Sequence, residues 1–108
     1  MEPLRELVDA GGKSWRAYGI LAACDAVGGE SWRHRHYLAL AELLHVGSLV
    51  IDDVQDESAL RRGVEAAHLK FGTAVAINAG TAAYFHCQRV IARDPDTPPA
   101  TRLAVLDQ

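Results

Sequence analysis

Residues 32–57 read WRHRHYLALAELLHVGSLVIDDVQDE, and this stretch decides the fold. It has no proline and no clear polar face, and its apolar residues point in every direction around a helix axis. A helix that is apolar all round is a buried helix in the middle of a large protein. From about Trp32 to Glu57 such a helix would be roughly 37 Å long, which is about the width of a small domain.

The flanking segments are also helical in pattern. We predict helices over about residues 14–27, which Gly28-Gly29 stops, and over about residues 69–93. Residues 101–108 resemble the first turns of a fourth helix, and Ser31 is the expected N-cap of the central helix. No segment shows the β-branched alternation of a strand, so the predicted fold class is all-α.

Composition excludes several classes of function. The chain has 108 residues, 49% of them hydrophobic, and a formal net charge of −3. This charge argues against a nucleic-acid binder that relies on a general positive field. No apolar run reaches the ~18 residues of a membrane span. We therefore expect a cytoplasmic protein whose anion sites are local.

The central helix ends in a DDxxD arrangement of carboxylates. Asp52 and Asp56 are four residues apart and share one helix face, with Asp53 beside them. Oxygen ligands on one face suit Mg²⁺, which prefers one or two carboxylates together with water and substrate phosphates. The alternative is a solvated helix end, although negative charge there opposes the helix dipole.

Cationic side chains accompany the carboxylates. Arg61-Arg62-Gly63 follows Asp56 closely enough to return over it, and guanidinium groups are bidentate partners of phosphate oxygens. His45 lies on the same helix stripe as the aspartates, where it is either a site residue or an ordinary core histidine. Gly11-Gly12-Lys13 and Arg16 place a second anion site at the start of a helix. Alone, this segment would be an exposed helix start.

These residues point to a known family. The run HVGSLVIDDVQDESALRRG (45–63), followed by Ala67-His68, Gly72 and Ile77-Asn78, closely resembles the first aspartate-rich region of trans-isoprenyl diphosphate synthases. It is most similar to the geranylgeranyl diphosphate synthase branch, which has a short N-terminus and Ile before the paired aspartates. The resemblance implies a partial isoprenoid-synthase helical bundle, with residues 1–108 as the N-terminal part of a single domain.

The resemblance also implies roles. Asp52 and Asp56 would bind Mg²⁺ bridging to an allylic diphosphate, Asp53 would support them, and Arg61 would contact that diphosphate. Isopentenyl diphosphate would be held by Lys13, Arg16, His45 and Arg62. The implied reaction is a head-to-tail condensation, in which the allylic substrate ionises, the isopentenyl double bond attacks and a proton is lost.

Product length follows from the same resemblance. The family closes a short product pocket with bulky residues at the positions of Gly47 and Ser48. Small residues here imply a product of geranylgeranyl length or longer. Leu44, Tyr84 and Phe85 are candidates for a deeper floor, and each is equally a candidate core residue.

The chain departs from the family pattern in places. Ala17 stands where many members have Pro, Ser14 where a basic residue is common, and Glu65 where Pro often follows the arginines. The second aspartate-rich motif has no counterpart in residues 1–108, so the chain resembles roughly the first third of a synthase. We therefore expect it to be inactive on its own.

Two other functions remain open. A class I terpene cyclase fragment would also carry an aspartate-rich motif, although the two cationic segments favour a two-substrate synthase. A non-catalytic helical subunit could dock on a synthase, which would leave the metal motif unexplained. The expected partners are isopentenyl diphosphate, an allylic prenyl diphosphate, and either a second copy of the chain or the missing C-terminal helices, on this or another polypeptide.

Overall fold

A computed structural model describes residues 1–107. Most of them are helical, which confirms the all-α prediction. The helices are α1 (Glu2–Asp9), α2 (Trp15–Ala26), α3 (Arg35–Gln55), α4 (Ala67–Phe71), α5 (Thr73–Ala92) and α6 (Pro99–Leu106). A short 3₁₀ helix spans Ser31–His34, and strands β1 (Leu60–Arg61) and β2 (Val64–Glu65) form a small antiparallel hairpin. None of the helices in the described residues is long and apolar enough to cross a membrane.

The long helices α3 and α5 form the centre of the fold. Their backbones touch at a pair of glycines, because a Cβ atom on Gly80 would lie 2.8 Å from the carbonyl oxygen of Gly47. The core around this contact is contributed by Leu4, Leu7, Val46, Val50, Ala76, Ala79 and Ala83. Small side chains on α5 let the two helices approach closely, and the approach excludes water from the Val50 side chain.

Helix α1 is a helix that the sequence analysis did not predict. Pro3 lies in its first turn, where the missing N–H costs nothing. Leu4 and Leu7, three residues apart on one face, are buried in the core. At the surface, Lys70 Nζ donates to both carboxylate oxygens of Glu6, at 2.6 and 2.8 Å. Together these contacts fix α1 against the rest of the chain.

Two predicted helix boundaries were wrong. The central helix begins at Arg35 rather than near Trp32, because Ser31–His34 forms a 3₁₀ turn, and Ser31 does not cap it. The helix predicted over residues 69–93 is two helices, α4 and α5, which are separated by Gly72 at φ +88°. A backbone at that φ cannot continue a right-handed helix.

The fourth predicted helix is present as α6 and begins at Pro99, two residues earlier than expected. Gln108, the last residue assigned to it, lies outside the described residues.

The hairpin is an exception to the sequence analysis, in which no segment showed the pattern of a strand. Arg62 and Gly63 form its turn with φ of +54° and +81°. Positive φ at both central residues is the requirement of a type I′ turn, which matches the twist of the two strands. Each strand is two residues long, too short to show an alternating pattern. The turn brings Arg61 back against the end of α3.

A buried carboxylate ties the start of α3 to the turn before α6. Asp94 accepts hydrogen bonds from the hydroxyls of Tyr37 (2.9 Å) and Thr97, and from the backbone N–H of Asp96 at 3.1 Å. His36 Nε2 lies 3.2 Å from the same carboxylate. The hydrogen bond from Thr97 is the main cause that holds the pKa of Asp94 well below its usual range.

Candidate functional site

The three aspartates at the end of α3 divide into two kinds. Asp52 and Asp56 are exposed, whereas Asp53 is only 1% exposed. The split follows from helix geometry, because residues four apart share a face and the intervening Asp53 is turned about 100° from Asp52. Among residues 1–107, no cluster of three or more ligand-type side chains that could hold a metal is formed. The exposed face at the end of α3 therefore offers two carboxylates, Asp52 and Asp56, to a metal ion.

Asp53 forms an ion pair with Arg61. The guanidinium donates to Asp53 Oδ1 through Nε at 2.8 Å and also through Nη2. This hydrogen bond is the main reason why the pKa of Arg61 is raised, and the charges of Asp52 and Asp56 add to the effect. Arg61 is therefore anchored beside the exposed carboxylates, with 30% of its side chain still open to solvent.

The structure brings together all four residues that the resemblance assigns to isopentenyl diphosphate. Lys13, Arg16, His45 and Arg62 line one cavity of about 450 Å³, which we call the cation pocket. The Gly11–Ser14 turn and Glu42 complete its walls. Residues from α2, α3 and the hairpin thus converge on a single concave site.

Arg62 is held in this pocket by two contacts. Its Nη1 donates to the carbonyl oxygen of Leu7 at 3.0 Å, near the C-terminal end of α1, where the helix dipole favours a cation. A Cβ atom on Gly12 would lie 3.0 Å from the guanidinium carbon, so the absence of a side chain at Gly12 lets the group pass. Helix α1 therefore helps to place a pocket residue.

His45 is surrounded by cations. Burial lowers its pKa, and the charges of Arg16 and Arg62 lower it further, with Glu42 and Asp52 opposing them. The imidazole is consequently neutral at pH 7, because its ordinary pKa is already near 6.5. A neutral imidazole can still donate one hydrogen bond to an anion.

Sequence reasoning missed Glu42. Its Oε1 accepts a hydrogen bond from the backbone N–H of Ala17 at 3.2 Å, in the first turn of α2. Proline is common at position 17 in the family that the chain resembles and has no such N–H. Here Glu42 satisfies the donor that Ala17 introduces. The signal was available in the sequence, because Glu42 lies three residues before His45 on the same helix.

An apolar groove between α2 and α3 adjoins the cation pocket. It has a volume of about 720 Å³, and its lining includes Leu44, Ser48 and Tyr84. Trp15, Arg16 and His45 line both cavities, so the two adjoin at these residues. Of the three floor candidates, Phe85 is 67% exposed and is not among the described residues that line the groove.

The two small residues assigned to product length lie in different surroundings. Ser48 lines the groove, and its hydroxyl donates to the carbonyl oxygen of His45 at 2.8 Å. Gly47 packs against α5, where a Cβ atom would meet the Cβ of Ala83 at 2.8 Å. The close approach of the two helices therefore requires glycine at position 47 whatever the length of a product.

Comparisons with known proteins agree on one family. The chain matches the model of the polyprenyl synthetase family over residues 1–106. It is 36% identical to a geranylgeranyl diphosphate synthase from Methanosarcina mazei over 87% of this chain, which is 29% of that protein. A geranylgeranyl diphosphate synthase from Saccharolobus solfataricus is 39% identical over 76% of this chain and 24% of its own length.

A solved structure leads to the same family. The geranylgeranyl pyrophosphate synthetase from the archaeon Geoglobus acetivorans superposes with a TM-score of 0.88 at 31% identity. The match covers 97% of this chain and 34% of that one. The chain thus spans about a third of the length of that solved structure.

Proposed function

Because the chain belongs to the polyprenyl synthetase family, we propose that it forms part of a Mg²⁺-dependent prenyltransferase. This enzyme would condense isopentenyl diphosphate head-to-tail with an allylic diphosphate. The observation that supports the proposal is that α3 contributes to two separate clusters of charged side chains, each of which could bind a diphosphate. One is the Asp52 and Asp56 face with Arg61, and the other is the cation pocket around His45. Asp52 lies seven positions after His45 on the helix, which corresponds to about 10 Å along the axis.

The exposed carboxylates fit magnesium in the manner that a diphosphate substrate requires. Mg²⁺ is usually held by one or two carboxylates, with the remaining positions filled by water and substrate phosphates. Asp52 and Asp56 supply two carboxylates, and the ion pair of Asp53 with Arg61 removes the third from competition. When bound, the metal would neutralise charge on the departing diphosphate.

Arg61 would act on the same group. Its fixed guanidinium can offer N–H donors to the allylic diphosphate without a rearrangement at the moment of reaction. Lys13, Arg16 and Arg62 would bind the diphosphate of the second substrate, with neutral His45 as a further donor. The apolar groove would hold the hydrocarbon and exclude water from the reactive carbocation. The carboxylate face, the cation pocket and the apolar groove would thus each bind a different part of the two substrates.

Product length is proposed to depend on Ser48. Its small side chain leaves the groove open towards Leu44 and Ala41, and both of these residues also line a second apolar cavity. That cavity, about 560 Å³, extends to Cys87 and Val105. Two apolar cavities that meet at Leu44 and Ala41 support a product of geranylgeranyl length or longer. A Ser48→Leu substitution is expected to shorten the products.

Helices beyond those described would complete the site. The matched synthases are about three times as long as this chain, since the aligned segments cover 24% to 34% of their length. We propose that further helices, from this polypeptide or another, supply the opposite wall, and that the assembled enzyme is a homo-oligomer. A class I cyclase is disfavoured by the cation pocket, since a single-substrate enzyme does not need a second diphosphate site.

The test uses the complete gene product that contains this chain. With farnesyl diphosphate, isopentenyl diphosphate and Mg²⁺, mass spectrometry should detect prenyl diphosphates of C20 or longer. Asp52→Asn and Asp56→Asn should lower kcat by at least about a hundredfold, since each removes a charged ligand of the metal. Asp25→Asn, at an exposed carboxylate on α2, is the matched control and should have no effect. Cyclic hydrocarbon formed without consumption of isopentenyl diphosphate would instead indicate a terpene cyclase.

A further inference from the structure

Trp15 is the first residue of α2 and lies at the junction of the cation pocket and the apolar groove. We propose that it is a positioning residue, whose indole ring holds the Arg16 guanidinium in place to receive the diphosphate of the second substrate. The inference rests on the proposed function. It adds a residue that contacts the Arg16 guanidinium rather than the diphosphate itself.

The contact between the two side chains is direct. The guanidinium carbon of Arg16 lies 4.8 Å from the centroid of the Trp15 ring. A cation within about 6 Å of an indole face is attracted by the ring quadrupole, and arginine is the cation most often found there. Because Trp15 is 62% exposed, burial in the core does not explain its position in the described chain.

The stacked guanidinium faces the site. Arg16 and Trp15 line both cavities together with His45, and the charge of Arg16 contributes to the environment of that histidine. An arginine side chain is flexible and loses rotamer freedom when it binds an anion. A ring that restricts it beforehand reduces this loss and so strengthens binding. Phe at this position would keep the stacking surface, whereas Leu would not.

A second tryptophan–arginine pair supplies a matched control. Arg35 lies 4.9 Å from the ring of Trp32, which is 66% exposed. This pair belongs to the 3₁₀ turn and the start of α3, and among residues 1–107 neither member lines the cation pocket or the groove. Trp32→Leu therefore removes the same kind of contact without touching the site.

The experiment measures binding of inorganic diphosphate to the complete protein by calorimetry. EDTA is present, so that the carboxylate face holds no metal and the cation pocket alone is probed. Trp15→Leu should weaken binding about two- to fivefold, which is the effect of losing one exposed cation–π contact. The affinity of Trp15→Phe for diphosphate should stay within about twofold of that of the wild type, and Trp32→Leu should bind diphosphate as tightly as the wild type. In turnover, Trp15→Leu should raise the KM for isopentenyl diphosphate by the same factor and leave kcat unchanged.

The outcomes separate two failures. If Arg16→Gln weakens binding and Trp15→Leu does not, Trp15 has no positioning role and the proposed function stands. If Arg16→Gln also has no effect, the cation pocket does not bind diphosphate and the proposed function fails as well. Equal losses in Trp15→Leu and Trp32→Leu would indicate a general effect on stability and overturn the inference.

A fluorescence measurement covers the case in which Trp15→Leu does not fold. In a variant in which Trp32 and any tryptophan outside residues 1–108 are replaced by Phe, saturating diphosphate should change the emission of Trp15, because the bound anion neutralises the guanidinium charge stacked on its ring. The change should be lost in Arg16→Gln. Emission that does not respond to bound diphosphate would contradict the inference.

Discussion

The ion pair between Asp53 and Arg61 makes an asymmetric prediction about stability. Asp53 is 1% exposed and Arg61 is 30% exposed. Arg61→Met leaves a buried carboxylate without its partner, and breaking a buried pair in this way costs about 3–5 kcal/mol. Asp53→Asn leaves a guanidinium that can turn towards water, so the free energy of unfolding should fall by only about 1–3 kcal/mol.

The assay is urea unfolding of the complete protein, followed by circular dichroism, for both single variants and the double variant. The double variant should lose less than the sum of the two single losses, because the second substitution removes the group that the first left unpaired.

A matched control is available at the surface. Arg5 pairs with Asp9 at 3.8 Å, and both side chains are at least 70% exposed. Arg5→Met should therefore cost at most about 1 kcal/mol. Equal and additive losses for Asp53→Asn and Arg61→Met would refute the reasoning, because they would mean that the pair is not coupled in a buried setting.

Three further predictions follow from local geometry. Glu57 has φ +52°, which is a strained backbone conformation for a residue other than glycine. Glu57→Gly should therefore raise the free energy of unfolding in urea by up to about 1 kcal/mol. A lower free energy of unfolding in this variant would contradict the presence of strain at Glu57. Gly47→Ala should lower the free energy of unfolding by roughly 1–3 kcal/mol, because the added methyl group overpacks against α5. Ser48→Leu, by contrast, should change product length, measured by mass spectrometry, and have little effect on unfolding. Asp94→Asn should lower the urea midpoint at pH 7. Because the pKa of the Asp94 carboxyl is well below its usual range in the folded state, this contribution is complete above about pH 4 and is lost progressively as the pH falls towards the depressed pKa. The difference from the wild type should therefore be smaller at pH 3 than at pH 7, and equal differences would be contrary evidence.

The sequence predicted the central part of the fold well for a physical reason. A long run without proline, preceded by the Gly28-Gly29 pair, leaves few options other than helix. Helices α2, α3 and α5 fall within the predicted segments, and α6 begins two residues before its predicted start. The elements that were missed are stabilised by distant contacts. Helix α1 is eight residues long and depends on burial of Leu4 and Leu7 against α3 and α5. The hairpin depends on a turn at Arg62-Gly63 that a helical pattern does not reveal.

The site was predictable in composition but not in its contacts. Helix periodicity alone places Asp52 and Asp56 on one face and turns Asp53 away. That Asp53 binds Arg61 depends on the hairpin, which returns the chain to α3. The roles of Glu42 and Trp15 likewise depend on how α2 packs against α3. Such contacts between elements are set by tertiary packing and cannot be read from local spacing.

The most direct test of the central claim is the condensation assay on the complete gene product. With isotopically labelled isopentenyl diphosphate, farnesyl diphosphate and Mg²⁺, we predict that label enters linear prenyl diphosphates of C20 or longer. This incorporation should be lost on chelation of the metal and in Asp52→Asn. The assignment of the α3 carboxylates to a prenyltransferase site would be contradicted by either of two results. The folded protein with Mg²⁺ present forms no labelled prenyl diphosphate, or Asp52→Asn still forms it.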